Sequence, residues 1–251
     1  MALLNASRAA RLASVPLLLG LWQGISALEL VNPVLFPSPW VVALSLLDYL
    51  GRGEGWVDLM ASLARVSIGY GAGAMAGVVV GLYTGTRPVV AGLLAPALQL
   101  LRPIPPVAFV PMVIVWFGLT EWGKWFLVLW GVFFAVWLSA HMGVRRINEN
   151  IVRAAQSLGT GPGRLLWTVQ LPAAAPVILV GLRTAVSIAF YTLVAAELAG
   201  AFAGIAYRME ITQQNMQIGH TMAGLVLLGV VSACADKLFE LGATRLVHWS
   251  A

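Results

Sequence analysis

Residues 145–172 read RRINENIVRAAQSLGTGPGRLLWTVQLP, a polar stretch set between two long apolar runs. Within it, Ile151, Ala154, Ala155 and Leu158 fall on one helical face, while Asn150, Arg153, Gln156 and Ser157 fall elsewhere, so the spacing predicts a short amphipathic helix. Gly159 stops that helix, and the run Gly159, Thr160, Gly161, Pro162, Gly163 forces a bend. A second short helix carrying Leu165, Leu166 and Val169 is expected to end before Leu171 and Pro172. A helix that offers an apolar face while rigidly joined to two neighbours suits docking in another protein's groove. Residues 145–171 therefore read as a protruding handle.

The flanking runs decide the medium. Of 251 residues, 60% are hydrophobic and 10% charged, against roughly 25% charged in a soluble domain. A water-soluble globule is excluded. A helical span needs ~20 apolar residues, so the length accommodates six. Windowed hydropathy, broken at charged and Gly/Pro-rich points, places spans near Leu12 to Leu30, Val66 to Tyr83, Pro106 to Leu119, Trp125 to Gly143, Pro172 to Leu193 and His220 to Phe239. The expected fold is an all-α integral membrane protein, a single transmembrane domain over residues 1–251 of about six helices, with the handle between the fourth and fifth.

The net charge of +5 reads as topology rather than as a nucleic-acid footprint. With the N-terminus inside, the cytoplasmic segments hold Arg8, Arg11, Arg87, Arg145, Arg146, Arg153, Arg164, Lys237 and Arg245, while the other face holds Arg52, Arg65, Lys124 and Arg208. That asymmetry puts both termini in the cytoplasm. Arg8 and Arg11 before Leu12 to Leu21 resemble the start of a secretory signal. The apolar stretch, however, continues to Leu28 with no small-residue cleavage site, so the segment reads as a span. The lone Cys234 lies in an apolar stretch, forms no intrachain disulfide and reads as a small buried hydrophobe.

Pro33, Pro37 and Pro39 give an irregular connection from Asn32 to Trp40, and Trp40 is expected at headgroup level. Val41 to Leu50 and Trp56 to Ala64 mix apolar and charged positions at helical spacing, which suits helices lying along the membrane surface. Gly69, Gly73, Gly77, Gly81 and Gly85 recur every fourth residue and line one stripe of the second span, where a neighbouring backbone can approach closely. The sequence leaves open whether that neighbour belongs to the same chain or to a second copy.

Pro88, Pro96, Pro103, Pro105, Pro106 and Pro111 are too many for one continuous helix, so the segment must be broken. Broken backbone at membrane depth is tolerated only beside protein or a water-filled cavity, which points to a pathway along Arg102 to Val107. Arg102 at the centre of a span costs about 2.5–3.5 kcal/mol on insertion scales and calls for a partner, a cavity or lipid headgroups. Arg183 offers positive potential at mid-membrane or snorkels to the surface. Glu197 faces an outer gate or stabilises structure. Gln213, Gln214, Asn215 and Gln217 form a docking surface or a solvated loop.

These residues resemble the membrane subunits of type I ABC importers, whose cytoplasmic loop carries the pattern E-A-A-x3-G-x9-I-x-L-P. Here Arg153-Ala154-Ala155, then Gly159, Val169 and Leu171-Pro172 keep the spacing, with arginine at the glutamate position and valine at the isoleucine position. The charge reversal at Arg153 means that a salt bridge made by the family's glutamate does not carry over. The sulfonate, taurine, nitrate and bicarbonate branch looks closest, and within it the taurine and alkanesulfonate permeases. The stretches RAAQSLG, RPIPPVAFVPMVIVWFG (Arg102 to Gly118) and LVAAELAGA (Leu193 to Ala201) carry the likeness, which extends from Trp56 to Trp249. The resemblance implies a permease in the bacterial inner membrane that imports a small anion, with taurine a typical cargo. Its partners would be a second copy of itself, two cytoplasmic subunits that bind ATP and Mg, and an extracytoplasmic solute-binding protein. The coupling residues it implies are Arg153, Ala154, Ala155, Gln156, Ser157, Leu158, Gly159, Leu171 and Pro172. The pathway candidates are Arg102, Pro103, Pro105, Pro106, Arg183 and Glu197.

No phosphate-loop pattern G-x4-G-K-[ST] is present, so ATP chemistry is expected in partner subunits and no cofactor in this chain. His141, His220 and His248 are scattered, Cys234 has no ligand neighbours, and neither H-E-x2-H nor G-x-S-x-G occurs, so no metal or catalytic site is expected. A secondary anion transporter is the rival reading, because broken helices and intramembrane charges are common there. It leaves the handle without a purpose.

Overall fold

The computed structural model describes residues 2–246, with side chains from residue 13 to residue 245; His248 and Trp249 lie outside the described residues. Among the described residues no strand forms. The helices are α1 (Ala2–Ala27), α2 (Pro39–Gly51), α3 (Glu54–Thr86), α4 (Pro88–Leu101), α5 (Val110–Phe117), α6 (Glu121–Arg145), α7 (Glu149–Ser157), α8 (Pro162–Leu165), α9 (Leu171–Leu198), α10 (Ile205–Gln214) and α11 (Ile218–Leu246). A 3₁₀ turn at Pro106–Phe109 precedes α5, and a π-helical turn at Leu166–Gln170 joins α8 to α9.

The core is the three-helix stack of α3, α6 and α9. Val128, Val132, Val136, Ala140, Ala185, Ala189 and Leu193 are buried within it. The glycine stripe of α3 faces α6 of the same chain. A Cβ on Gly77 would stand 2.9 Å from both the Phe133 carbonyl oxygen and Val136 Cβ, and one on Gly73 would stand 2.8 Å from the Leu129 carbonyl oxygen. Gly69 meets Val128, Gly81 meets Ala140, and Gly85 meets Val144 in the same manner. In lipid, helix association rests on this kind of close van der Waals contact.

Four continuous helical stretches are long and apolar enough to cross a membrane: Glu54–Thr86, Glu121–Arg145, Pro162–Leu198 and Ile218–Arg245. The pair Pro88–Leu101 and Pro106–Phe117 passes the same test jointly but bends by 84°. The apolar part of α1, Ala13–Ala27, is a shorter helix. Four of the six expected spans are thus helices of spanning length. The third, Pro106 to Leu119, reaches that length only together with Pro88–Leu101 as a bent pair, and the first is a shorter apolar helix, so four to five candidate spans stand where six were expected.

Two helical boundaries differ from the sequence expectation. Trp56 to Ala64 is not a separate surface helix but the first part of α3, which runs unbroken for 33 residues, ~50 Å at 1.5 Å per residue. No proline interrupts Glu54 to Thr86, and the charge that suggested an interfacial position, Asp58, is buried against other helices, as is Arg65 just beyond it. Nor does the second handle helix end before Leu171. Proline lacks an N–H and its ring crowds the carbonyl four residues back. The chain absorbs Pro172 by widening into the π turn, where Leu171 N–H donates to the Leu166 carbonyl, and α9 continues. A third correction concerns Cys234, which is exposed on α11 instead of buried, because only part of that helix is covered by the bundle.

Candidate functional site

Asn148 caps α7, its side chain accepting from the Asn150 N–H at 2.9 Å, the interaction that makes Asn a favoured N-cap. At the other end Gly159 adopts φ +78°. Its N–H donates to the Gln156 carbonyl and the Thr160 N–H to the Ala155 carbonyl, the paired closure of a Schellman motif, which needs a left-handed residue where Gly159 stands. Pro162 opens α8, where its missing N–H costs nothing. The handle thus leaves and re-enters the bundle by chemistry written in Asn148, Gly159 and Pro162. Leu165 is buried, but three of its large apolar side chains are uncovered: Ile151 is 52% exposed, Leu158 87% and Trp167 67%. Arg153 spends its guanidinium on Glu149 of its own helix at 2.6 Å, both side chains in the open.

The second place is the elbow between α4 and α5. Hydrogen bonds from Arg102 N–H to the Leu98 carbonyl and from Ile104 N–H to the Leu101 carbonyl close α4, and Pro103, Pro105 and Pro106 then have no N–H to continue it. Trp130 Nε1 of α6 donates to the Ile104 carbonyl at 3.4 Å and holds the turn against the core. A cavity of about 330 Å³ opens there, lined by Arg102 to Pro106, by Trp130, Gly131, Phe134 and Ala135 of α6, and by Ile188 and Tyr191 of α9. Gly131 is required by the close α6–α9 approach, since a Cβ would lie 2.6 Å from Thr192 Oγ1.

The other two pathway candidates stand elsewhere. Arg183 does not line the cavity; its Nε and Nη2 donate to Asp236 of α11 at 3.0 and 2.8 Å, and Nη2 also reaches Glu240 at 3.0 Å. Glu197 is fully buried in a polar cluster at the opposite end of α9 from the handle. There Glu197 Oε1 accepts from Ser62 Oγ at 2.6 Å and from Arg65 Nη1 at 2.9 Å. Arg65 Nε and Nη2 also pair bidentately with Glu121 at 2.7 and 2.8 Å, and Lys124 joins Glu121 at 3.1 Å.

The same cluster anchors α10. Asp58 accepts the Gly204 N–H at 2.8 Å, Ser62 Oγ accepts the Ile205 N–H at 2.9 Å, and Glu197 Oε2 accepts the Ala206 N–H at 2.8 Å. Three otherwise orphaned donors at the start of a helix are thereby satisfied from α3 and α9. Gly204, at φ +138°, lies so close to the Glu197 carboxylate that a side chain would displace it. Asp58 additionally takes Arg208 Nε at 2.8 Å and the Tyr49 hydroxyl at 2.9 Å. Burial, and then the Asp58 carboxylate beside it, push the Tyr49 phenol well above its ordinary range. Counting charges by loop misses this assembly. Its sequence signal is the spacing of Asp58, Ser62 and Arg65 at i, i+4 and i+7, one face of α3.

Gln213 and Gln214 end α10, and Asn215 to Gln217 turn into α11, with Gln217 N–H donating to the Thr212 carbonyl. Among the described residues no group of three or more His, Cys, Asp or Glu side chains is arranged to hold a metal.

A family model described as binding-protein-dependent transport system inner membrane component matches residues 73–247. The taurine transport system permease protein TauC of Escherichia coli K12 is 34% identical over 95% of this chain and 88% of its own length. The putative aliphatic sulfonates transport permease protein SsuC of Bacillus subtilis 168 is 32% identical over 92% of this chain and 84% of its own length. Among solved structures, the inward-facing MetNI methionine ABC transporter superposes with TM-score 0.56 at 17% identity, over 83% of this chain and 95% of that one. An amino acid ABC transporter crystallised with histidines gives TM-score 0.59 at 14% identity, over 82% and 97%. At those identities the structural likeness speaks for the fold.

Proposed function

The chain belongs to the binding-protein-dependent transport system inner membrane component family and is an ABC importer permease, and on that footing we propose that it carries a small organic sulfonate, with α7 and α8 as the handle through which an ATPase drives it. The observation that carries this reading is the handle itself. Ile151, Leu158 and Trp167 stand uncovered on a structure closed by the Schellman motif and continuous with α9. An apolar helix face that its own chain leaves open fits a groove on a partner.

In this reading two copies of the chain assemble with two cytoplasmic subunits that bind ATP and Mg, and with an extracytoplasmic binding protein. Residues 145–171 form the coupling loop of a single permease domain, and both termini face the cytoplasm. Closure of the ATPase pair on ATP favours one arrangement of the spans over the other, which is a population shift paid for by differential contact with the handle. The π turn next to Leu171 and Pro172 ties the handle to α9, so displacement of α7 moves the helix that lines the elbow cavity. The two sulfonate-transporting relatives supply the cargo class, and Arg102 to Pro106 are the pathway residues.

The test is Gly159→Val in the assembled transporter. The site has open space around it, so packing tolerates the side chain, but φ +78° does not. The expected result is normal membrane insertion with ATP-driven uptake reduced at least tenfold. Wild-type uptake in that variant would overturn the handle.

A further inference from the structure

Resting on the transport reading above, we propose that the elbow cavity is a transit site selective for an aliphatic monoanion, its charged head on Arg102 and its hydrocarbon chain against Trp130, Phe134 and Ile188. It discriminates against inorganic anions and against zwitterionic sulfonates alike.

Three observations carry this. First, among the described residues the Arg102 side chain makes no ion pair or hydrogen bond, yet it stands at the cavity edge with its positive charge uncommitted. Arginine offers a planar fork of donors suited to an oxyanion. Second, the other polar groups in the lining are few. Trp130 Nε1 is already given to the Ile104 carbonyl, and the remaining side-chain donor is the Tyr191 hydroxyl. The lining is otherwise proline, aromatic, aliphatic and small. Third, no carboxylate lines the cavity. An ammonium carried on the same solute finds no counter-charge among the lining side chains and stands beside the like charge of Arg102, an arrangement that Coulomb repulsion disfavours.

Aromatic rings do not replace that carboxylate. The Trp130 ring is already packed against Phe109 at 4.5 Å and Phe134 at 5.0 Å between centroids, which leaves no cage of free faces for a cation. An inorganic anion satisfies Arg102 but leaves the apolar wall unused. Each methylene laid on that wall is worth about fourfold in affinity until the space is filled.

The experiment is equilibrium binding of labelled butanesulfonate to the permease purified with its ATPase subunits in nanodiscs, without nucleotide or binding protein. Ethanesulfonate, taurine and nitrate serve as competitors. Ethanesulfonate and taurine differ only by the amine, so they isolate the missing carboxylate. The expected order is butanesulfonate tighter than ethanesulfonate, ethanesulfonate about tenfold or more tighter than taurine, and nitrate weakest. Arg102→Gln should weaken butanesulfonate at least tenfold, and Arg102→Lys, which keeps the charge but not the planar fork, should recover only part of it. Ile188→Ala should move the preferred chain length upward, a change that a purely structural role does not produce.

Absent butanesulfonate binding, equal competition by taurine and ethanesulfonate, or binding indifferent to Arg102 would each overturn the proposal. ATP-driven sulfonate uptake in proteoliposomes separates the two levels. Uptake without Arg102 dependence removes this inference alone, whereas no ATP-driven uptake of any sulfonate removes the reading beneath it.

Discussion

The α3–α6 seam and the α4–α5 elbow lie side by side and solve opposite problems with the two residues that most disturb helices. Along the seam, glycines at every fourth position remove the side chains that would keep two backbones apart, and both helices run unbroken for 33 and 25 residues. At the elbow, three prolines within four residues remove the donors that would continue a helix, and the chain turns by 84° around a cavity. In a medium without water to satisfy loose backbone groups, glycine on one face welds and clustered proline opens. The difference teaches where rigidity ends: α4 buries none of its residues, whereas α6 buries a row along its length.

The hardest way to break the welded side is at its polar end. Glu197→Ala leaves Arg65, Ser62 and the Ala206 N–H without one partner each in a dry site, and losing one member of a buried pair costs about 3–5 kcal/mol. The expected outcome is a permease that fails to accumulate or that melts far earlier in detergent, read by fluorescence-detected size exclusion after heating. A smaller but still large effect is expected at Gly77→Leu, where overpacking costs about 1–3 kcal/mol or more. Its matched control is Gly92→Leu on α4, which has open space around it. Equal melting of the two variants would erase the contrast between seam and elbow.

The smallest effect sharpens the edge of the welded region, where α2 meets α11. Asp48 accepts from His220 at 3.1 Å and from Arg52 at 2.9 Å, and those hydrogen bonds hold its carboxyl below the ordinary 3.8. A carboxyl depressed in the folded state contributes stability above its unfolded value and loses it as the pH falls through the folded one. The melting difference between wild type and Asp48→Asn should therefore persist above pH 3.8 and close below it. A difference that does not change on acidification would remove Asp48 as its source.

Much of this architecture was legible because membrane helices write themselves in composition and in the placement of glycine and proline. The stripe of five glycines, the proline-rich break and the Asn148-to-Pro162 handle all express local backbone chemistry, which needs no knowledge of the partner helix. What stayed hidden depends on residues distant in sequence. Asp58 looks like the charge of an interfacial helix, and Arg65 like a charge of the outer face, until Glu197 and Gly204, more than 130 residues away, are brought beside them. Arg183 looks like a lone cation until α11 supplies Asp236 and Glu240. Pro172 looks like a stop, and only the widened turn before it lets the helix pass. A charge in this chain has meaning only with its counter-charge, and the pairing is a property of the bundle.

The start of α10 carries one more consequence. A helix of this length ordinarily presents a positive pole to its surroundings, but here the first amides are occupied by the chain's own carboxylates and hydroxyl. Among the described residues the start of α10 is thereby no open anion site: its positive pole is already answered by Asp58, Ser62 and Glu197 of the same chain, so that it serves to fasten the helix and not to receive a solute.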